Sequence, residues 1–248
     1  MEQGLSGLPL WFVVACLATL GAIWGSFAGA LCRRWPEGRR ITSGRSHCDS
    51  CGAQITAFDL IPIFSFLALK GKCRKCGSRF TVGTEFAGLC IGVLTALWFP
   101  PAQAFAAAIF GWFLLPLAIL DYRHLWLPNA LLVLLLLGAA IFAPLLISDI
   151  TWMDRLIGCI AGFAILEALR QLYHVIRRKE GMGAGDPKLL GVLGVWLGWQ
   201  LLPLTVLVAS FVGLAVALLS SHRNESEPAE YPLGTFLALA AFIVVCLP

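Results

Sequence analysis

Apolar residues fill most of this chain in long runs separated by short polar breaks, and those runs predict its elements. The runs are 8–31, 83–99, 103–121, 128–146, 154–174, 187–198, 200–221 and 231–247. A helix that crosses a hydrocarbon core needs about 20 mostly apolar residues. Most of the runs approach that length, while 187–198 reads as a short or half-buried helix. One long polar stretch, 32–82, interrupts the series. The pattern predicts an all-α polytopic membrane protein of about eight transmembrane helices, with a first span at 1–31, a small cytoplasmic insertion at 32–82 and a membrane core at 83–248.

Composition supports this reading. Hydrophobic residues make up 59% of the 248 positions and charged ones 13%, against about 25% charged in soluble domains. The net charge of +4 matters less than its placement. Ten of the 18 Lys and Arg fall between Arg33 and Arg79, and five more between Arg170 and Lys188. Cytoplasmic loops carry such an excess of cations. No Lys or Arg precedes Arg33, so the start lacks the positive region of a cleaved signal. The first helix is expected to run from outside to inside. Counting onward puts 122–127, 175–186 and 222–230 in the cytoplasm and leaves Arg155, beside Asp149 and Asp154, as an outside cation. Nothing in the sequence calls for a nucleic-acid partner.

The insertion holds Cys48-Asp-Ser-Cys51-Gly and Cys73-Arg-Lys-Cys76-Gly, two Cys-x-x-Cys-Gly knuckles separated by 21 residues. Four thiolates at this spacing suit a tetrahedral ion, and a closed set of four protein ligands fits structural zinc. Two disulfides or redox pairs are the alternative, which a reducing cytosol disfavours. His47 is an alternate ligand. The apolar Phe58–Leu69 segment between the knuckles is too short to span and is interrupted by Pro62. It is expected to lie at the headgroups beside a zinc ribbon.

Two acids stand at ends of apolar runs. Asp121 closes one run in Ile119-Leu-Asp-Tyr-Arg-His-Leu-Trp-Leu-Pro128. Asp186 opens another in the glycine-rich Glu180-Gly-Met-Gly-Ala-Gly-Asp-Pro-Lys188. An acid at a helix C-terminus opposes the helix dipole, and acids within membrane segments are functional by default. A pair with Arg123 is the plainer account of Asp121. Asp186 before Pro187 also looks like a helix N-cap. The Gly183 and Gly185 approach is expected to admit an extended substrate strand. Two carboxyl groups sharing one proton form an aspartic-protease pair, one polarising the scissile carbonyl and the other activating water. Glu167, within a run, is expected to pair with Arg170 one turn on. There is no Gly-x-Ser-x-Gly elbow, His-Glu-x-x-His motif or Walker loop.

Taken together these residues resemble the type IV prepilin peptidases. The Gly183-Ala-Gly-Asp186 hinge looks like that family's GxGD motif, and Asp121 to Pro128 like its first aspartate motif. Gly25-Ser-Phe27, Arg34, Pro36 and the paired knuckles around a Leu-Ile-Pro segment match in order. The resemblance implies Asp121 and Asp186 as the catalytic pair and Cys48, Cys51, Cys73 and Cys76 as zinc ligands. It also implies removal of the basic leader from type IV prepilins or type II secretion pseudopilins at the cytoplasmic face of the bacterial inner membrane. N-methylation of the new terminus with S-adenosylmethionine would follow. The chain departs from the family pattern at Gly29, where Asn is expected, and in the shortened Thr81–Phe86 stretch. A peptidase without methyltransferase activity, and a non-enzymatic membrane zinc-ribbon scaffold of a secretion or pilus assembly, in contact with membrane lipids, are the other readings.

Overall fold

The structure, a computed structural model, describes residues 8–39, 48, 50–54, 56, 72–78, 83–178, 182–221 and 231–247. The Phe58–Leu69 segment and His47 lie outside the described residues. Seven helices are formed among the described residues: α1 (Leu10–Arg34), α2 (Gly83–Trp98), α3 (Pro101–His124), α4 (Asn129–Leu146), α5 (Trp152–Arg177), α6 (Asp186–Ser221) and α7 (Leu233–Val245). Five are long and apolar enough to cross a membrane, and α2 and α7 are shorter apolar helices. The chain is an all-α, multi-pass membrane protein. It divides into two compact units, Met1–Ala108 and Ile109–Pro248, and α3 carries the chain from one to the other.

In the first unit α1 and α2 pack antiparallel with their backbones almost touching. A Cβ on Gly92 would sit 2.3 Å from the Leu17 carbonyl oxygen, one on Gly88 2.1 Å from that of Gly21, and one on Gly25 2.2 Å from that of Thr84. Small residues every fourth position make such contact possible where lipid offers no hydrophobic drive for helices to associate. The same contact accounts for Gly29, since a Cβ there would meet Thr84 Oγ1 at 2.3 Å. A larger residue at 29 requires the Thr84 side chain to turn or shift.

In the second unit α6 is two helices. Gly198 adopts φ 69° and ψ 171°, a left-handed conformation that glycine takes without a steric cost. The segment before it, α6a, is buried on all sides from Leu189 to Leu197, as an all-apolar helix requires. After the break α6b runs back along the bundle. Leu202 reaches Gly162, which also abuts Leu190, and Gly213 lies against Phe236 near the start of α7. With α6 split in this way, the eight helical segments among the described residues fall on the eight apolar runs. Gly158 and Gly194 bring α5 and α6a together, a Cβ on Gly194 falling 2.3 Å from the Gly158 carbonyl. Trp196 is fully buried, stacks on Phe110 at 4.6 Å and donates from Nε1 to the Leu135 carbonyl at 3.0 Å.

Arg155 is buried among backbone carbonyls. It is 1% exposed and donates to four carbonyls: Val195 at 3.0 Å and Trp196 at 2.7 Å through one terminal nitrogen, Ala143 at 2.9 Å and Ile147 at 2.6 Å through the other. These carbonyls lie at the C-terminal ends of α6a and α4, where intrahelical partners become scarce, although Ala143 O also accepts the Ile147 N–H. A guanidinium, with five fixed donors and a full positive charge, satisfies both ends and complements both dipoles. Arg155 therefore fixes the end of this unit opposite the aspartates. The Thr151–Asp154 capping box that starts α5 is tied to the same end by Trp199 Nε1, 2.9 Å from Asp154 Oδ1.

Candidate active site

Asp121 lies in the last turn of α3 and Asp186 at the first residue of α6a, and both side chains are buried, at 4% and 5% exposure. The N-terminus of α7 brings them into one site. Gly234 faces both carboxyl groups with its N–H, and a Cβ at that position would lie 3.0 Å from Asp121 Cγ. Asp186 is close enough to Asp121 for the two charges to act on each other.

The two acids are held differently. Asp121 Oδ2 accepts the Thr235 N–H at 2.6 Å and lies 3.1 Å from the Thr235 hydroxyl. That hydroxyl is also 2.9 Å from the Ala118 carbonyl. α7 has no capping side chain of its own, its N-cap being Pro232, so Asp121 supplies the cap from another helix. This resolves its placement at a helix C-terminus: the dipole that matters to its carboxylate is that of α7. Arg123 contributes no ion pair to it among the described residues. Asp186 does not behave as a simple N-cap. Its Oδ1 is buried without a hydrogen-bond partner, a costly position for a carboxyl oxygen whose only role is structural.

Leu127 completes the wall. It is 8% exposed and fills the space left by two missing side chains. A Cβ on Gly185 would fall 2.7 Å from Leu127 Cβ, and one on Gly234 2.9 Å from Leu127 Cδ1. The side of Gly185 on which a Cβ would stand is thus filled by Leu127. Lys188 Nζ donates to Asn129 Oδ1 at 3.0 Å, joining the first turns of α6a and α4 beside the site. Glu167 pairs with Arg170 through two hydrogen bonds of 2.9 and 2.7 Å, as its helical spacing predicts.

In the first unit the four cysteines converge. Their sulfurs all lie within 4.8 Å of one another, with Cys48 and Cys76 at 3.7 Å and Cys51 and Cys73 at 3.9 Å. A tetrahedron of thiolates about 2.3 Å from a zinc ion has edges of about 3.8 Å. The knuckles are near copies. Cys48 N–H donates to Ala53 O and Gly52 N–H to Cys48 O, while Cys73 N–H donates to Ser78 O and Gly77 N–H to Cys73 O. Gly52 and Gly77 take left-handed φ values of 66° and 71° to close these turns. The Ser78 hydroxyl and the Cys51 and Ser50 N–H groups hold the Cys48 thiol down to about 6. Cys51 moves the other way: the Ala53 N–H favours its thiolate, but the neighbouring thiols and desolvation outweigh it and push it up to about 11. Four such groups can all ionise together only beside a cation, so the donor set fits a metal such as zinc.

Comparison with known proteins places the chain in a family. The Type IV leader peptidase family profile matches residues 108–218, and the Bacterial Peptidase A24 N-terminal domain matches residues 19–100. The prepilin leader peptidase/N-methyltransferase of Aeromonas salmonicida is 37% identical over 209 residues, covering 81% of this chain and 70% of that protein. Proteins of the same name from Stutzerimonas stutzeri and Pseudomonas aeruginosa are 32% and 33% identical, each covering 97% of this chain and 92% of its own length. The chain belongs to the type IV leader peptidase family. No solved structure matches it.

Gly234, Thr235 and Leu127 were not singled out from the sequence. A weak signal was present in Tyr231-Pro-Leu-Gly-Thr235, a proline and a glycine heading an apolar run. Such a pair marks a helix start where another backbone or side chain comes close.

Proposed function

We propose that this protein is a membrane-embedded aspartic endopeptidase that removes the leader from type IV prepilins or type II secretion pseudopilins. The observation that carries the proposal is the meeting of two buried carboxyl groups, from α3 and α6a, around the Gly234 N–H. Asp121, with its Oδ2 held by Thr235, acts as the ionised member that takes a proton from the attacking water. Asp186, with a bare oxygen, carries the proton that polarises the scissile carbonyl. The charge distribution supports a cytoplasmic placement of this end of the helices in the bacterial inner membrane. A prepilin would present its basic leader there, with its apolar helix remaining in the bilayer.

N-methylation of the exposed terminus with S-adenosylmethionine is proposed from the names of the relatives, since both matched regions extend over this chain. Cys48, Cys51, Cys73 and Cys76 would hold zinc as a structural crosslink, because four protein ligands leave no coordination position for substrate.

A second reading has one observation in its favour: Asp121 caps α7, so its burial could serve folding alone. Purified protein in lipid vesicles, given a type IV prepilin and S-adenosylmethionine, tests the proposal. Mass spectrometry should find the leader released and a methyl mass on the mature N-terminus. An intact prepilin would overturn the peptidase, and a cleaved but unmethylated product would overturn the second activity alone.

A further inference from the structure

Thr235 faces Asp121 with two donors and faces α3 with one of them shared. Its N–H points at Asp121 Oδ2 at 2.6 Å. Its hydroxyl lies between that same oxygen, at 3.1 Å, and the Ala118 carbonyl, at 2.9 Å. A hydroxyl has one proton to donate and two lone pairs, so it serves one of these acceptors at a time. While Asp121 is ionised, its carboxylate is the stronger acceptor, and lone pairs turned toward it would be repelled. Once Asp121 has taken up a proton that preference falls away, and the hydroxyl can turn to the carbonyl without leaving its place.

We propose that Thr235 is a positioning residue for the proteolytic step. Its N–H and hydroxyl clamp Asp121 Oδ2 so that the other oxygen is presented to the water, and its hydroxyl proton follows the charge on Asp121 between the carboxylate and the Ala118 carbonyl. No bond to substrate is involved, and the only proton relocated is the hydroxyl's own. The site is built for this. α7 begins at Leu233, so Thr235 is in its first turn, and Gly234 beside it cannot carry a side chain without meeting Asp121 and Leu127. The inference rests on the aspartyl-protease reading given above.

The test uses full-length protein in detergent micelles with a purified prepilin that retains its leader, and follows initial cleavage rates. Thr235→Val keeps the shape and the N–H but removes the hydroxyl, and should lower kcat on the order of tenfold with KM within about twofold. Thr235→Ser restores the hydroxyl and should recover most of kcat. Thr235→Ala, which adds no bulk, should match Val and covers the case in which Val disturbs packing. Wild-type kcat in both Val and Ala overturns the proposal, as does a Ser variant as impaired as Val. An Asp121→Asn arm separates this from the reading beneath it: an inactive Asn variant beside fully active Val and Ala overturns only the role of Thr235, whereas an active Asn variant overturns the protease assignment itself.

Discussion

Replacing Gly185 by Ala should impair cleavage through Leu127, although neither residue carries chemistry. Gly185 does not have a left-handed φ, so its backbone accepts Ala and the whole effect is one of space. The new methyl group would lie 2.7, 3.0 and 3.3 Å from Leu127 Cβ, Cδ1 and Cγ, against about 3.5–4.0 Å for carbon atoms in contact. Leu127 cannot simply rotate away. The nearest atom is its Cβ, fixed to the backbone, and its Cδ1 already meets Gly234. Leu125 holds a φ of 49° and Pro128 follows directly, which stiffens the segment. Roughly 1 Å of movement must pass to the α3–α4 connection or to the Gly-Asp turn, and so to one of the two carboxyl groups. Overpacking of this kind costs about 1–3 kcal/mol, and a 1 Å misplacement about 100-fold in rate. Leu127→Ala alone removes a buried side chain at about 2–5 kcal/mol. Combined, the two changes should interfere in part: Leu127→Ala keeps the Cβ that the methyl group at position 185 meets at 2.7 Å but removes Cγ and Cδ1, so the segment has room to shift, and the double variant should regain about threefold in rate over Gly185→Ala, a coupling of about 0.6 kcal/mol. Leader cleavage by the four proteins, with thermal unfolding in detergent, measures the cycle. Full activity in Gly185→Ala, or strictly additive effects, would refute the reasoning.

Three further outcomes follow from other parts of the structure. Arg155→Met keeps bulk but removes four hydrogen bonds to carbonyls at the ends of α4 and α6a, and should destabilise the protein by about 3 kcal/mol or more, read as a lowered unfolding temperature; Arg155→Lys, with a single point charge, should recover only part. Gly88→Val should break the α1–α2 contact, because its side chain would enter the Gly21 carbonyl, and should be seen as loss of folded protein or faster proteolysis. Zinc measured by mass spectrometry of the purified protein should be one per chain, should fall on Cys51→Ser, and should be released by acid as the thiolates protonate.

The apolar runs made most of the fold legible because lipid imposes a length on every span that faces it. Even the break in α6 was readable, with one run ending at 198 and the next beginning at 200. Asp121 and Asp186 stood out because an acid in an apolar segment needs a reason. What joins them was not readable. Thr235 lies 114 positions from Asp121, and its main contribution, a backbone N–H, belongs to any residue except proline. The burial of Arg155 was unreadable for a related cause: its partners are carbonyls, which leave no trace in the sequence. That Leu127 lies against Gly185 was not readable either, since a glycine shows only that something comes close.

The central claim is that Asp121 and Asp186 perform proton transfer together and are not merely helix caps. Asparagine separates these roles, because it caps a helix nearly as well as aspartate but cannot accept the water's proton. The decisive measurement is the rate of prepilin leader removal by Asp121→Asn and Asp186→Asn, each shown to insert and to unfold at close to the native temperature. Both rates should fall by at least about 100-fold; leader removal by Asp121→Asn at the native rate would contradict the account.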